Sequence, residues 1–288
     1  MIQEAIRDIL PEEYPPLLNE IPEPPERLRL WGTPPNLENK FLGVIGARKF
    51  SSYGKEACHS IVSGLSGYPI TIVSGLALGI DSIAHRSALG ANLQTIAIPG
   101  SGLNPSVLHP RSHVSLAKDI VESGGGLMSE YDDTMPAGAW AFPRRNRIMA
   151  GMCHAVLVIE SEIRSGTLIT SRLATDYNRD VGAVPGPITS TLSDGPHMLL
   201  RLGATLVRDS KDVLEMLGWN DVRGKLNIEE GDLTDEEEIF IKLLTQPRGR
   251  DELIRMSKLD TSTASATLSL LEIKGLIVEE LGEVRKTF

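Results

Sequence analysis

Residues 69–85 read "PITIVSGLALGIDSIAH" and decide the fold. The first seven residues form an apolar run that ends in Gly, which is typical of a strand covered on both faces. A helix-length segment follows at 79–90. The strand-to-helix turn between them contains four residues of interest: Ser74, Gly75, Gly79 and Asp81. Two glycines four positions apart allow the backbone to come close to a ligand. A helix packed tightly on the sheet, with Asp81 near its N-terminus, explains these residues equally well.

The same pattern repeats between residues 41 and 217. Short apolar runs that we interpret as strands lie at 41–46, 69–75, 94–100, 126–130, 154–160 and 181–186. Helix-length segments lie between them, at 52–66, 79–90, 111–123 and 166–177. This alternation predicts an α/β fold, a Rossmann-like, doubly wound and mostly parallel sheet with helices on both faces. Because such sheets bind ligands outside the carboxyl ends of their strands, the Gly-rich turns are the candidate site.

The two ends of the chain differ from this middle segment. Residues 1–40 form a Pro-rich lead-in, with eight of the 18 prolines at 11–35, and we expect it to pack on the core as an extended segment. Residues 218–233 are a polar linker. Residues 234–288 predict three short helices and a hairpin, a small winged-helix domain. Its expected recognition helix has no positive residue before Lys274, so protein contact or dimer support is favoured over DNA reading.

Composition restricts the class of protein. No run approaches the roughly 18 apolar residues of a membrane span, and the acidic N-terminus lacks the pattern of a signal peptide. Two distant cysteines, Cys58 and Cys153, fit a reducing cytoplasm. The net charge is −9, but residues 41–217 hold fifteen Lys/Arg against fifteen Asp/Glu. The acidity therefore lies at the two ends and does not exclude nucleic acid as a partner of the middle segment.

Three further segments carry candidate binding residues. In "VIGARKFSSYG" (44–54), Gly46 ends a strand, Arg48 follows it, and the N-terminus of the next helix is a candidate phosphate site unless the turn is merely tight. In "AFPRRNRIMAGM" (141–152), three arginines within four positions need an anion to offset their repulsion: a protein carboxylate, a nucleotide or a phosphate backbone. In "SEIRSGTLITSRLA" (161–174), a helix starts with Ser165, Gly166, Thr167 and Thr170, and small hydroxyl residues at a helix N-terminus suit an anion.

Four segments in this order resemble the signature of the DNA-processing protein A family, also called DprA or Smf. They are "VSGLALGIDSIAH", "FPRRNRIMAGM", "RSGTLITSRLA" and "VPGPITSTLSDGPHMLLRLGA", and the resemblance covers about residues 14–217. It implies a Rossmann-like domain that binds single-stranded DNA, protects incoming DNA and loads the RecA recombinase in natural transformation. It also implies a homodimer. We expect no cofactor and no metal. The C-terminal module resembles the winged helix of many members.

The resemblance also implies site residues. Arg48, Arg111 and the group Arg145, Asn146 and Arg147 would line one positive pocket that faces DNA phosphates, whereas Arg144 falls on a variable position. The full DNA- or phosphate-binding set is Gly46, Arg48, Ser74, Gly75, Gly79, Arg111, Arg145, Asn146, Arg147, Ser165, Gly166 and Thr167. A dimer or RecA surface is expected at Met198, Leu199 and Leu202, although plain core packing explains these three as well.

Two aromatic residues near the arginine cluster are candidates for stacking on bases. They are Trp140 and Phe142, and of the two Phe142 is the expected core residue.

The chain departs from the family pattern just before the Phe-Pro step, where members often carry a basic residue and a His. This chain has Ala139 and Ala141 there, so one DNA contact is expected to be missing.

Two other functions share the expected fold. Phosphoribohydrolases of nucleoside monophosphates resemble residues 145–170, but Ile169 and Thr170 stand where their paired carboxylates would be. We therefore expect no catalysis, and the six histidines show no metal-ligand spacing. A protein that senses a nucleotide at the same strand ends remains the second alternative.

Overall fold

The computed structural model describes residues 6–219, 233–244, 248–273, 277–280 and 282–286. The chain divides into two compact units, Met1–Gly218 and Trp219–Phe288. None of the described helices combines the length and the apolar character that a membrane span requires. Among the same residues, no group of His, Cys, Asp and Glu side chains is arranged to hold a metal ion.

A single sheet forms the centre of the first unit. Its described strands are β1 (Arg7–Ile9), β2 (Leu28–Gly32), β3 (Lys40–Ile45), β4 (Ile70–Ser74), β5 (Gln94–Ala97), β6 (Gly126–Ser129), β7 (Ala155–Val158), β8 (Asp180–Ala183) and β9 (Thr205–Leu206). Across the sheet they follow the order β1-β2-β6-β5-β4-β3-β7-β8-β9. Strands β3 to β9 pair in parallel, while β2 runs antiparallel to β6 and β1 antiparallel to β2. The predicted parallel, doubly wound sheet is confirmed, with all six expected strands in it.

Helices cover this sheet in two layers. They are α1 (Ser52–Ser63), α2 (Ile80–Gly90), α3 (Val114–Glu122), α4 (Ala141–Met152), α5 (Gly166–Asp176), α6 (Asp194–Arg201) and α7 (Ser210–Met216). Helices α1 and α2 pack on each other, with α7 against α1 and α3 against α2, whereas α4 packs against α5. Helix α4 contains the arginine cluster, and its Pro143 falls in the first turn, where a missing N–H costs no hydrogen bond.

The Pro-rich lead-in packs on the α4 side of the sheet. Leu18, Leu28 and Leu30 are fully buried in the same core cluster as Phe41 and Met149. This matches the expectation of a segment packed on the core. The lead-in does more than that, however, because it supplies β1 and β2 and so extends the sheet beyond β6.

The second unit has the predicted winged-helix composition. It contains α8 (Asp235–Leu243), α9 (Arg250–Ser257) and α10 (Thr261–Ile273), with a small sheet of β10 (Arg248–Gly249), β11 (Ile277–Glu280) and β12 (Glu283–Lys286). Strand β12 lies between the other two and pairs antiparallel with each. Thr234 and Glu237 form a capping box at the start of α8. Lys274 lies outside the described residues.

Candidate functional site

The winding of the chain reverses between β3 and β7. Strands β4, β5 and β6 follow on one side of β3, and β7, β8 and β9 lie on the other. In open α/β sheets this reversal leaves a crevice outside the carboxyl ends of the two central strands. A cleft of about 520 Å³ lies at this place, lined by the loops after β3, β4 and β7 and by α4.

Seven of the twelve residues expected at the site line this cleft: Gly46, Arg48, Arg145, Asn146, Ser165, Gly166 and Thr167. The other five lie outside the lining: Ser74, Gly75, Gly79, Arg111 and Arg147. The parallel sheet therefore brings the segments after β3 and β7 together with α4, although about 100 residues separate the first of them from the others.

Exposed cations ring the cleft. Arg48, Lys49 and Arg164 are exposed and line it. Within the described ranges no acidic side chain lies within ion-pair distance of these three. Lys49 is a cleft residue that the sequence reasoning missed, and only its position next to Arg48 could have indicated it.

The ring of Phe142 lies against the guanidinium of Arg48. The guanidinium carbon of Arg48 lies 5.4 Å from the centroid of the Phe142 ring, a cation–π arrangement. Phe142 was the expected core residue, but it is half-buried and lines the cleft. The reason is that α4 begins at the cleft, so its first turn faces the strand ends instead of the core.

Arg145 is buried at the floor of the cleft. One of its terminal nitrogens donates hydrogen bonds to the carbonyl oxygens of Gly75, at 2.8 Å, and of Ile98. Burial lowers the pKa of Arg145 to about 10, against the opposing attraction of Asp81. The side chain is still charged at neutral pH, and it ties the loop after β4 to the end of β5.

Arg147 points away from the cleft. It forms a close ion pair with Glu130 and donates a 2.7 Å hydrogen bond to the carbonyl oxygen of Glu23 in the lead-in. Arg144 also approaches Glu130, at 3.4 Å. A protein carboxylate therefore offsets part of the arginine cluster, which is the first of the three anions considered.

The arginines that the family resemblance predicts in one positive pocket do not all lie in the cleft. Arg147 is turned towards Glu130, and Arg111 is an exposed residue whose guanidinium donates to the carbonyl oxygen of Ser106 at 3.2 Å. Neither lines the cleft with Arg48 and Arg145. A DNA contact at either residue stays a prediction.

Glu160 occupies the N-terminus of α1, where the sequence suggested a phosphate. This buried carboxylate follows β7 and accepts hydrogen bonds from the backbone N–H of Ser51, at 2.9 Å, and from its hydroxyl, at 2.5 Å. A methyl group at Gly54 would collide with it. The α1 terminus is therefore filled by the protein itself. Sequence reasoning missed Glu160 because nothing local links the end of one strand to a helix 109 residues away.

The N-terminus of α5 remains open. Ser165 caps it by accepting a 3.2 Å hydrogen bond from the N–H of Thr167. A side chain added at Gly166 would meet nothing within 4 Å. Of the two helix N-termini considered for an anion, this one is available, and Arg164 lies directly beside it.

The glycines of the turn after β4 serve close packing within the protein. A methyl group at Gly75 would collide with Arg145, and one at Gly79 with the carbonyl oxygen of Ala47. Ser74 donates a 2.7 Å hydrogen bond to the carbonyl oxygen of Val44 in β3. Asp81 is buried near the helix N-terminus and accepts from the N–H groups of that turn. Of the two interpretations considered for this turn, the tightly packed helix describes it.

The expected interaction surface lies next to the cleft, because the cavity beside it shares Arg164, Ser165 and Gly166 with the cleft lining. Met198, Leu199 and Leu202 border a second cavity, of about 1070 Å³, between α5 and α6. Leu199 is partly buried against the core, whereas Leu202 is 77% exposed. Core packing therefore explains why position 199 is apolar, but it does not explain the exposed leucine at position 202.

Comparison with protein families shows to which family the chain belongs. Residues 6–218 match the model of the family described as DNA recombination-mediator protein A. The chain belongs to this family, that of the DprA and Smf proteins. Residues 229–283 match the DprA winged-helix domain.

Individual relatives agree with this assignment. The chain is 43% identical to Protein Smf of Escherichia coli over 206 residues, which cover 72% of this chain and 54% of that protein. It is 40% identical to DNA processing protein DprA of Streptococcus pneumoniae over 206 residues, 72% of either chain. The match thus spans about half of the length of the Escherichia coli relative.

Two solved DprA structures share the fold. DprA of Streptococcus pneumoniae aligns with a TM-score of 0.67 and 37% identity, covering 74% of this chain and 75% of that one. DNA processing protein A of Helicobacter pylori, whose structure was described for its single-stranded DNA binding mode, aligns with a TM-score of 0.66 and 25% identity. It covers 75% of this chain and 98% of that one. The Rossmann-like first unit is therefore the DprA fold.

Proposed function

We propose that this chain binds single-stranded DNA in the cleft outside β3 and β7. The observation that supports this most is the set of exposed cations without ion pairs in the described part of the chain: Arg48, Lys49 and Arg164. Unpaired cations repel one another unless an anion lies between them. The open N-terminus of α5 adds backbone N–H donors beside Arg164.

The charge balance of the cleft favours a phosphate backbone. Four cations line it, Arg145 included, against two carboxylates, Asp81 and Glu162. The local excess of positive charge stands out in a chain of net charge −9. A guanidinium also presents a rigid fork of donors to phosphate oxygens and stays charged at all relevant pH values.

The comparisons add support of a different kind. The Helicobacter pylori protein of the same fold is described by its binding of single-stranded DNA. The family model that covers most of the chain is named for mediating recombination. On this support we propose that the chain protects incoming DNA and passes it to the RecA recombinase in natural transformation, in the cytoplasm and without catalysis of its own.

We also propose that the chain acts as a homodimer through the face that holds Met198, Leu199 and Leu202. A leucine that is 77% exposed at the border of a cavity favours contact with protein. Leu202→Glu is expected to convert a dimer to a monomer in sedimentation experiments. If the variant keeps the mass of the wild-type dimer, or the wild type is monomeric, this face is not the dimer surface.

Fluorescence anisotropy with labelled oligo-dT over a salt series tests the DNA proposal. Arg48→Glu and Arg164→Glu should each weaken binding, and the slope of log K against log[salt] should become shallower by about 0.7 for each phosphate that the variant no longer neutralises. Arg86→Glu, an exposed arginine of α2 outside the cleft, is the matched control and should keep most of the affinity. Wild-type chain that does not bind oligo-dT at low salt would refute the proposal.

The second candidate function is recognition of a mononucleotide. The volume of the cleft, about 520 Å³, lies in the range of small-ligand pockets. A rise in melting temperature with a nucleoside monophosphate, without any DNA binding, would establish it. Release of a free base from that nucleotide would show a phosphoribohydrolase. We expect none, because Asp81, one of the two cleft carboxylates, is buried and held by the N–H groups of Gly75 and Ala77.

A further inference from the structure

The Pro-rich lead-in receives hydrogen-bond donors from the rest of the first unit. Six prolines lie at 11–25, and a proline has no N–H with which to pair in a sheet or a helix. The carbonyl oxygens of such a stretch still need donors. Arg147 of α4 donates to the carbonyl oxygen of Glu23 at 2.7 Å, and Arg179 donates to that of Leu17 at 2.8 Å. Two arginine side chains therefore replace part of the backbone pairing that the prolines prevent.

Each of these arginines also reaches a second group, so each joins the lead-in to another element. The other terminal nitrogen of Arg147 forms the close ion pair with Glu130, which directly follows β6. The nitrogen of Arg179 that binds Leu17 also lies 3.4 Å from the carbonyl oxygen of Gly151 in the last turn of α4. The side chains of Arg147, Glu130 and Arg179 are 10%, 9% and 7% exposed. Charge-assisted bonds that are shielded from water are strong, so these contacts hold the lead-in in a fixed position.

Apolar contacts hold the same two surfaces together. A methyl group at Gly151 would come within 2.9 Å of Ile21 and 3.1 Å of Leu18, so the lead-in packs directly on the backbone of α4. Leu18 and Ile21 are buried in one core cluster with Met149 of that helix. The lead-in therefore contacts α4 from its middle to its C-terminal end.

Helix α4 turns one side to the cleft and another to the lead-in. Phe142, Arg145 and Asn146 line the cleft. Arg147 follows Arg145 by two positions, which is about 200° around the helix axis, and it contacts the lead-in instead. A helix moves as a rigid element, so a displacement of the lead-in also displaces the residues on the cleft side of α4.

We infer that Arg147 is a positioning residue, which fixes the lead-in on α4 and so holds the cleft side of that helix in place, without contact to the bound strand. Arg179 acts in the same way at the other end of the lead-in contact. The inference rests on the proposed binding of single-stranded DNA in the cleft. It gives the lead-in a part in that binding, and it assigns one of the expected phosphate ligands to contacts within the protein.

A salt series with labelled oligo-dT separates a positioning residue from a phosphate ligand. With the full chain, Arg147→Met should weaken binding by about 2- to 30-fold, the range typical of residues that act through others. The slope of log K against log[salt] should stay unchanged, whereas loss of a phosphate contact would make it shallower by about 0.7. Arg208→Met is the matched control. This arginine is exposed and forms a 2.9 Å ion pair with Asp212 of α7, and its removal should change neither quantity.

Three further variants test the contact with Glu130. Glu130→Gln should weaken binding, although removal of a negative charge by itself favours DNA. The double variant Arg147→Met/Glu130→Gln should bind about as well as the weaker of the two single variants, because both changes break one contact. Arg147→Lys keeps the charge but replaces two separate nitrogens by one. It should restore little of the affinity, whereas a phosphate contact would be restored, since Lys also binds phosphate as a point charge.

Proteolysis of the lead-in gives an independent readout. Glu20 is exposed and lies between Leu17 and Glu23, the two residues that the arginines bind. A glutamyl endopeptidase cleaves after Glu20 when the lead-in opens from α4. If docking of the lead-in strengthens DNA binding, bound DNA strengthens the docking by the same factor. Saturating oligo-dT should therefore slow this cleavage in the wild type, and Arg147→Met and Arg179→Met should each accelerate it.

The outcomes separate this inference from the proposed function. A shallower salt slope in Arg147→Met, full restoration by Arg147→Lys, or unchanged affinity in both Arg147→Met and Arg179→Met would overturn the inference and leave the proposed function standing. Wild-type chain that does not bind oligo-dT at low salt would overturn both. Urea unfolding checks that each variant is folded. If Arg147→Met is not, Arg179→Met decides by the same affinity and slope, because it leaves the ion pair of Glu130 intact.

Discussion

At the scale of single residues, one buried carboxylate joins two distant parts of the cleft wall. Glu160 follows β7 and binds Ser51 at the start of α1, which follows β3. The backbone makes the same connection, because the N–H of Ala47 donates a 2.7 Å hydrogen bond to the carbonyl oxygen of Glu160. Glu160 therefore holds together the two strand ends between which the cleft opens.

The first prediction concerns this carboxylate. Glu160→Ala should lower the free energy of unfolding by about 2–3 kcal/mol, because the variant lacks the charged, buried acceptor of two hydrogen bonds. Glu162→Ala is the matched control, since Glu162 is exposed and two positions away. Urea unfolding followed by circular dichroism measures both. Equal midpoints for the two variants would contradict the assigned role.

The second prediction separates a collision from backbone strain at two glycines. Gly79 and Gly67 both have positive φ, +85° and +83°, but only at Gly79 would a methyl group meet other atoms, those of Ala47 and Arg48. Gly67→Ala should cost about 1–2 kcal/mol for the left-handed backbone alone. Gly79→Ala should cost clearly more and should also weaken DNA binding, because the loop that carries Arg48 must move. Thermal melts and anisotropy measure the two effects, and equal melting temperatures would show that the collision adds nothing to the strain.

At the scale of elements, the lead-in shows why a strand can be hidden in a Pro-rich stretch. Eight prolines at 11–35 suggest an extended segment without sheet pairing, yet the Pro-free residues between Pro25 and Pro34 include the whole of β2. The ladder with β6 needs only four of the five residues of β2, 29–32. Leu28 and Leu30 then face the core, which supplies the burial that stabilises the pairing.

The third prediction belongs to the start of α8. Thr234 accepts a hydrogen bond from the N–H of Glu237, and the carboxylate of Glu237 accepts one from the N–H of Thr234. Thr234→Ala should destabilise the second unit by about 1 kcal/mol, the usual cost of removing such a cap. Ser262→Ala, in an exposed position of α10, should change little. Chemical denaturation of the two variants tests this, and an unaltered transition for Thr234→Ala would show that the cap contributes nothing.

At the scale of the whole molecule, one buried and one partly buried histidine couple stability to pH. Burial lowers the pKa of His154 to about 4 and that of His85 to about 3. In the unfolded chain both titrate near their ordinary pKa of about 6.5. The unfolded state therefore takes up protons first as the pH falls, and stability is lost progressively below about pH 6.5.

The fourth prediction follows from this linkage. His154 accepts a 3.0 Å hydrogen bond through Nδ1 from the N–H of Phe41. Asn offers an acceptor at a similar position but does not titrate. His154→Asn should therefore flatten the fall in the free energy of unfolding between pH 7 and pH 5, while His85 keeps part of it. Parallel curves for variant and wild type would rule out His154 as a source of the pH dependence.

The sequence by itself determined the class of fold, the six central strands and the family. Apolar runs of strand length, alternating with helix-length segments, have few solutions other than a parallel sheet, because both faces of such strands must be covered. It also predicted a candidate site at the strand ends, and seven of the twelve residues expected there line the cleft.

The tertiary structure alone decided which positive charges are exposed at the cleft. Arg145, Arg147 and Arg48 are equivalent in the sequence, but two of them hydrogen-bond with groups elsewhere in the protein: Gly75 and Ile98 for Arg145, Glu130 and Glu23 for Arg147. Only Arg48 of these three stays exposed at the cleft. The physical reason is that a buried charge must find its partners in three dimensions. Neither burial nor a partner that lies 17 to 124 residues away is written in the local sequence.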